Sequence, residues 1–140
     1  MADRYVDTNV LVRLLTHDDP KKDAEAVSLF SRVEDGSIQL SAPDTVIADA
    51  VFVLSSPRQY GLTRMRIAEL LIPLVQLPHF HVNNRDIVIR ALEIYGSIRI
   101  DFGDAMIVAA MQAAGATELY SYDTDFNRFP DIVRNPDLLT

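Results

Sequence analysis

The chain has 140 residues, and its 20 acidic against 13 basic residues give a formal net charge of −7. That length predicts a single domain over residues 1–140, and the charge argues against a protein that holds nucleic acid by an overall basic field. The absence of cysteine excludes disulfides and thiolate metal sites. The apolar run 70–75 is too short to cross a bilayer and the charged start does not resemble a signal peptide, so we expect a cytoplasmic protein.

The first stretch, from Arg4 to Val10, predicts a short hydrophobic strand that ends at Asp7 and runs directly into an amphipathic helix. Thr8 is expected to cap that helix. In an open parallel sheet, ligands bind beside the carboxyl ends of the strands. Asp7 is therefore the first candidate site residue.

Cap and breaker residues divide the rest of the chain into five further predicted helices. The starting signals are Asp19 with Pro20, a capping box over Ser41 to Asp44, Thr63, Asn83, and Asp101 to Asp104. The stopping signals are Gly36, Ser55, Pro73, Gly96 and Gly115. Short strands are predicted at 38–40, 79–82, 119–122 and 130–133, and this alternation with helices predicts a parallel α/β sandwich.

Asp49 lies inside the third predicted helix among the apolar residues Val46, Phe52 and Val53, where aspartate is an unfavourable choice. This setting favours a functional role. The alternative is a solvent-exposed position on a narrow polar strip with Thr45.

The remaining acids each have an ordinary structural explanation, as helix caps or turn residues. Considered together, however, Asp7, Asp123 and the start of the helix that carries Asp104 project from the same edge of a parallel sheet. Carboxylates brought together repel one another unless a positive charge lies among them. Oxygen ligands at that density predict magnesium or manganese. His79 and His81 share a strand face but lack a third ligand nearby, so they are a weaker metal candidate.

Four motifs resemble, in order, those of the PIN domain family, and especially of VapC-type toxin ribonucleases. They are Asp7 to Leu11, the segment 47–54 around Asp49, Asp101 to Ala105, and Ser121 to Phe126. The resemblance implies one PIN domain with an α/β three-layer fold, in which helices flank a short parallel five-stranded sheet. It implies a Mg²⁺- or Mn²⁺-dependent endoribonuclease, the toxin of a type II toxin–antitoxin pair, with an RNA substrate, a cognate antitoxin and a homodimeric state.

Motif position implies two sets of site residues. The metal-binding and catalytic acids would be Asp7, Asp49, Asp104 and Asp123. The residues that position those ligands or the phosphate would be Asn9, Asp101, Ser121 and Asp125. The arginine candidates for a phosphate-binding rim are Arg13, Arg58, Arg64 and Arg128.

The chain departs from the family at two positions, with Asp49 where glutamate is usual and Ser121 where threonine is usual. The shorter Asp49 side chain motivates an alternative, a catalytically weak PIN scaffold that binds RNA or a protein partner. A phosphatase or a DNA-directed nuclease could use the same acids. A signalling receiver is disfavoured, because receivers need a lysine at a late strand end and this chain has lysine only at positions 21 and 22.

Overall fold

The computed structural model describes residues 4–136, so the ends of the predicted domain, residues 1–3 and 137–140, lie outside the described residues. In chain order the elements are α1 (Thr8–Leu15), α2 (Pro20–Glu34), β1 (Leu40–Ala42), α3 (Asp44–Ser55), α4 (Arg64–Val75), β2 (Phe80–Val82), α5 (Arg85–Ser97), α6 (Phe102–Ala114), β3 (Glu118–Tyr120), a 3₁₀ helix (Thr124–Arg128) and β4 (Val133–Asn135). Strands and helices alternate as the sequence predicts.

The strands form two parallel pairs. Leu40 of β1 lies opposite Phe80 of β2, and Glu118 of β3 lies opposite Val133 of β4. The segment at Tyr5 adds a parallel bridge to Ser41, where the Ser41 amide donates to the Arg4 carbonyl at 2.7 Å. Five parallel-paired segments are therefore present, but β1 and β4 begin two and three residues later than the predicted strands 38–40 and 130–133. Within residues 4–136 they form a three-segment group and a separate pair, and the predicted continuous five-stranded sheet is not seen.

Alternation along β1 and β2 separates the core from solvent. Leu40, Phe80 and Val82 are buried, whereas His81 is exposed between the last two. The predicted shared face of His79 and His81 is confirmed, and its third member is Gln39. The Gln39 amide lies 2.8 Å from His79 Nδ1 and 2.7 Å from His81 Nε2, so both imidazoles are already hydrogen-bonded to a neutral side chain.

Two predicted helix caps are wrong, and the register of the first strand pair explains both. Ser41 lies inside β1, so Pro43 rather than Ser41 precedes α3 and no capping box forms. Because Ala42 pairs with Val82, the chain leaves both strands side by side, and Asn83 Oδ1 accepts from the Asp44 amide at 2.7 Å. Asn83 thus caps α3, across the sheet, instead of the helix that follows it in sequence.

The start of α1 is also capped differently from the prediction. Asp7, not Thr8, occupies the cap position, and Asp7 Oδ1 accepts from the Val10 amide at 3.3 Å. Thr8 is already helical, and its hydroxyl donates to the Val46 carbonyl of α3 at 3.5 Å. The end of the first strand segment is therefore tied to both α1 and α3.

Two breaker residues lie inside helices. Pro73, which the sequence predicts to end or kink α4, lies inside that helix, which continues to Val75. Gly96 lies in the last turn of α5 instead of beyond it, and a Cβ built on Gly96 would come within 2.8 Å of the Ala68 Cβ. Gly96 therefore permits the close approach of α4 and α5, the result of packing that no local pattern shows.

We expect Gly96→Ala to destabilise the fold by about 1–3 kcal/mol, because the added methyl group overlaps Ala68 at a tightly packed helix contact. The matched control is Gly103→Ala in the first turn of α6, where a Cβ would meet nothing within 4 Å. That control should be neutral or stabilise the fold by up to about 1 kcal/mol, since alanine restricts the unfolded chain. Urea unfolding of both variants measures the difference, and equal stabilities would contradict the packing role of Gly96.

None of the helices found in residues 4–136 combines the length and the apolar character needed to cross a membrane.

Candidate metal centre

The start of α6 carries two of the predicted site residues. Asp101 occupies the position before the helix, but its side chain accepts no capping hydrogen bond, so its carboxylate is not used by the helix. Asp104 lies in the first turn and is half-buried. Burial raises the pKa of Asp104 above its usual value, and the negative charges of Asp123, Asp101 and Asp125 raise that pKa further. The charges of Asp123, Asp101 and Asp125 therefore reach the carboxyl group of Asp104 at the start of α6.

The turn after β3 holds the other acids of that group. Asp123 Oδ1 accepts from the Asp125 amide at 2.8 Å and so opens the 3₁₀ helix. The Ser121 hydroxyl accepts from the Asp123 amide at 3.0 Å, which fixes the backbone on which Asp123 stands. Arg128 lies 3.7 Å from the Asp125 carboxylate and partly offsets its charge. The serine at this position retains the hydroxyl group that supports the turn.

Asp7 and Asp49 are carried by two other elements: Asp7 stands at the start of α1 and Asp49 lies within α3. The contact between Thr8 and Val46 sets the start of α1 against α3, and Asp49 lies one turn beyond Val46. Asp49 is exposed, in contrast to the apolar surroundings that its sequence neighbours suggest. The reason is that α3 buries Ile47, Ala50, Val51 and Leu54 and turns its opposite face, including Asp49 and Phe52, to solvent.

A groove of about 460 Å³ begins at Asp7 and runs between α1 and α2. Asn9 and Arg13 line it from α1, and Lys22 and Glu25 line it from α2. The predicted positioning residue Asn9 therefore lies beside Asp7 at an accessible surface. This groove holds charges of both signs.

In the described residues, the charges of Asp123, Asp101 and Asp125 reach Asp104, whereas Asp7 stands at the start of α1 and Asp49 lies within α3. Ala48, which precedes Asp49 in α3, lines a second groove together with Asp101. Over residues 4–136, no three histidine, aspartate or glutamate side chains lie close enough to hold a metal ion together.

A sequence model of the PIN domain matches residues 4–132 of the chain. The chain belongs to the PIN domain family. All four motifs lie within the matched residues, so the resemblance to the PIN domain family is confirmed. No curated protein matches the chain.

Membership of the family indicates the general fold and the general activity of this PIN domain. The family implies an α/β three-layer fold, and PIN domains are in general nucleases that use divalent metals and bind RNA. Family membership therefore supports a hydrolase that cuts nucleic acid.

The arginine rim of this PIN domain differs from the expected one. Arg64 donates to the carbonyls of Ile100 at 2.5 Å, Ile98 at 3.3 Å and Tyr95 at 3.4 Å, and its guanidinium lies 4.5 Å from the centre of the Tyr95 ring. Through Nη1 it fastens the segment that leads into Asp101. Sequence reasoning missed this role because the partners lie 31 to 36 residues away.

Two other rim candidates also have protein partners. Arg128 donates to the Arg99 carbonyl at 2.6 Å, in addition to its contact with Asp125. Arg13 forms an ion pair with Asp18 at 2.7 Å at the far end of the α1–α2 groove. Arg58 is exposed in the loop between α3 and α4.

We expect Asp104→Asn to raise the melting temperature of the metal-free PIN domain at pH 7 by roughly 1–3 °C, a small gain for a partly exposed group. The folded-state pKa of Asp104 lies above its ordinary 3.8, so the folded chain binds more protons than the unfolded chain. Its contribution to stability therefore falls as the pH rises from about 4 through the raised pKa, and the penalty is complete above it.

Melting curves of the wild type and the Asp104→Asn variant between pH 3 and pH 8, at low salt and with a chelator, measure this effect. The advantage of the variant should disappear on acidification, and added Mg²⁺ should stabilise only the wild type. An advantage that grows toward low pH would contradict the sign of the pKa shift.

Proposed function

We propose that this PIN domain, spanning residues 1–140, is a Mg²⁺- or Mn²⁺-dependent endoribonuclease that hydrolyses RNA phosphodiester bonds. One observation carries the proposal. In a chain of the PIN family, Asp104 lies half-buried in the first turn of α6, and burial together with the negative charges of Asp123, Asp101 and Asp125 raises its pKa.

The donor set fits a hard divalent cation, because carboxylate oxygens are its preferred ligands and the like-charge repulsion at Asp104 is the cost that a cation relieves. Asp104 and Asp123 would hold the ion, with Asp7 and Asp49 completing the site. Such an ion lowers the pKa of a bound water and offsets the charge of the phosphate.

The other predicted residues would act on these ligands. Ser121 supports the backbone of Asp123, and Asp125 faces Arg128. Asn9 and Asp101 would position the phosphate or the ligands. The exposed carboxylate of Asp49 can accept a proton from the attacking water. Because a water nucleophile needs no 2′-hydroxyl group, we expect products with 5′-phosphate and 3′-hydroxyl ends.

The biological part of the proposal follows from the resemblance to VapC-type toxins. The protein would be the cytoplasmic, homodimeric toxin of a type II pair. Its antitoxin would block the site, for which an arginine inserted among the carboxylates is the chemically matched group.

A second candidate function is a catalytically weak PIN scaffold that binds RNA or a protein partner. It is favoured by two observations: aspartate stands at position 49, and no three described side chains lie close enough to hold a metal ion together. RNA binding alone does not separate the two candidates, whereas metal-dependent turnover does.

The deciding experiment is incubation of the purified chain with a structured RNA pool in Mg²⁺, in Mn²⁺ and in a chelator. The proposal expects cleavage with either metal and none in the chelator. Matched single-stranded DNA and a phosphate monoester, tested in parallel, separate the ribonuclease from a DNA nuclease or a phosphatase. A folded protein that cuts no RNA with either metal would favour the scaffold.

A further inference from the structure

A groove of about 650 Å³ lies between α3, the start of α4 and the start of α6. Phe52 and Ser55 line it from α3, Thr63 from the start of α4, and Asp101 and Gly103 from the start of α6. It therefore opens directly beside the acids at the start of α6. Its floor is apolar and rigid, since Tyr95 and Phe102 pack edge to face with ring centres 6.1 Å apart.

Phe52 is the unusual residue of this groove. Its side chain is 74 % exposed, whereas Val51 and Leu54 on the same helix are buried. A single exposed aromatic residue needs no explanation by itself. Here, however, the ring stands one helical turn from Asp49 on one side and shares the groove with Asp101 on the other.

The charges around the groove determine what can enter it. Arg64 lines the groove, but its Nη1 donates to three backbone carbonyls that hold the guanidinium against the protein, and the neighbouring acids repel phosphate. Electrostatic attraction to a nucleic acid backbone is therefore weak at this point. A neutral aromatic face remains, together with the hydroxyl groups of Ser55 and Thr63 at the rim.

We propose that the ring of Phe52 stacks on an unpaired base of the RNA next to the bond that is cut. This inference rests on the proposed function and names the side chain that would hold a base at that site. Aromatic stacking suits such a site because each base has a π-face, and stacking does not depend on the charge of the backbone. Bases inside a duplex are already stacked and cannot reach the ring.

The test is the dissociation constant of a fluorescently labelled, unstructured 12-nucleotide RNA, measured by anisotropy with Ca²⁺ present to offset the acids. Phe52→Leu should weaken binding by about 5- to 100-fold, the range expected for loss of one base–aromatic stack. Phe52→Trp should bind at least as tightly as the wild type. Val27→Ala removes an apolar side chain that is 48 % exposed on α2, away from the groove, and should bind unchanged.

A duplex of the same RNA should show no difference between the wild type and Phe52→Leu. Equal binding of the single strand by these two proteins would overturn the proposal and make a protein partner the occupant to seek. The result is separable from the test of the nuclease. Phe52-dependent binding without cleavage in Mg²⁺ or Mn²⁺ would leave the stacking role intact and refute the endoribonuclease. RNA cleavage by Phe52→Leu at the wild-type rate, with unchanged binding, would leave the endoribonuclease intact and refute the stacking role of Phe52.

Discussion

Asp104→Asn and Asp7→Asn are each expected to abolish metal-dependent RNA cleavage, with a fall in rate of about 10³-fold or more. An amide is a far weaker ligand for magnesium than a carboxylate, and the contribution at stake is several kcal/mol of charge stabilisation in the transition state. The measurement is the initial rate on one defined RNA at saturating Mg²⁺.

The matched control is Asp86→Asn, an exposed acid in the first turn of α5 that none of the site motifs includes. It removes the same charge and should cleave at the wild-type rate. Melting curves show whether each variant folds, and for Asp104→Asn the curve should lie slightly above that of the wild type. If both site variants cleaved as fast as the wild type, a contaminating nuclease would be the source of the activity.

Phe80→Ala is expected to destabilise the fold by about 3–5 kcal/mol, or roughly 10–20 °C in melting temperature. Phe80 is completely buried in β2, and its ring meets the edge of Phe30 from α2 with 5.4 Å between the ring centres. Removing the ring leaves a cavity where the strand pair meets the helices, and the surrounding side chains fill it only partly.

Phe52→Ala is the control for this prediction, because it makes the same chemical change at a side chain that is 74 % exposed. Its stability should stay within about 0.5 kcal/mol of the wild type. Denaturant unfolding of both variants gives the comparison, and a cost at position 52 comparable to that at position 80 would contradict the assigned burial. The same two variants separate stability from RNA binding, since only the change at Phe52 should weaken RNA binding without unfolding the chain.

The successful sequence predictions concern features written within a few neighbouring residues. Asp19 with Pro20 does begin α2, with Asp19 accepting from the Lys22 amide at 3.1 Å, and Gly36 and Gly115 follow helix ends with positive φ. The four motifs, which are equally local, identified the family. Each of these signals depends on the geometry of one turn or one short segment. That geometry does not depend on contacts with distant parts of the chain.

One failed prediction is local, since Asp7 caps α1 in place of its neighbour Thr8. The other features that the sequence did not show concern groups that meet across the fold. Asn83 caps a helix 39 residues earlier in the chain, because the register of a parallel strand pair brings their ends together. Arg64 donates to a backbone carbonyl before Asp101, and Gly96 serves the contact with Ala68. Local patterns of cap residues and arginines do not identify partners that are distant in the sequence.

For the candidate site, too, the local features could be predicted from the sequence and the long-range contacts could not. The sequence by itself determined the family and which acids belong to its motifs, because side-chain chemistry and short spacing suffice for both. Only the tertiary structure decided that Asp104 is half-buried within reach of the charges of Asp123, Asp101 and Asp125. It also decided that Asp49 faces solvent and that Phe52 shares a groove with Asp101. Burial and charge interaction depend on which helices pack together, and that packing is set by contacts between residues far apart in the chain.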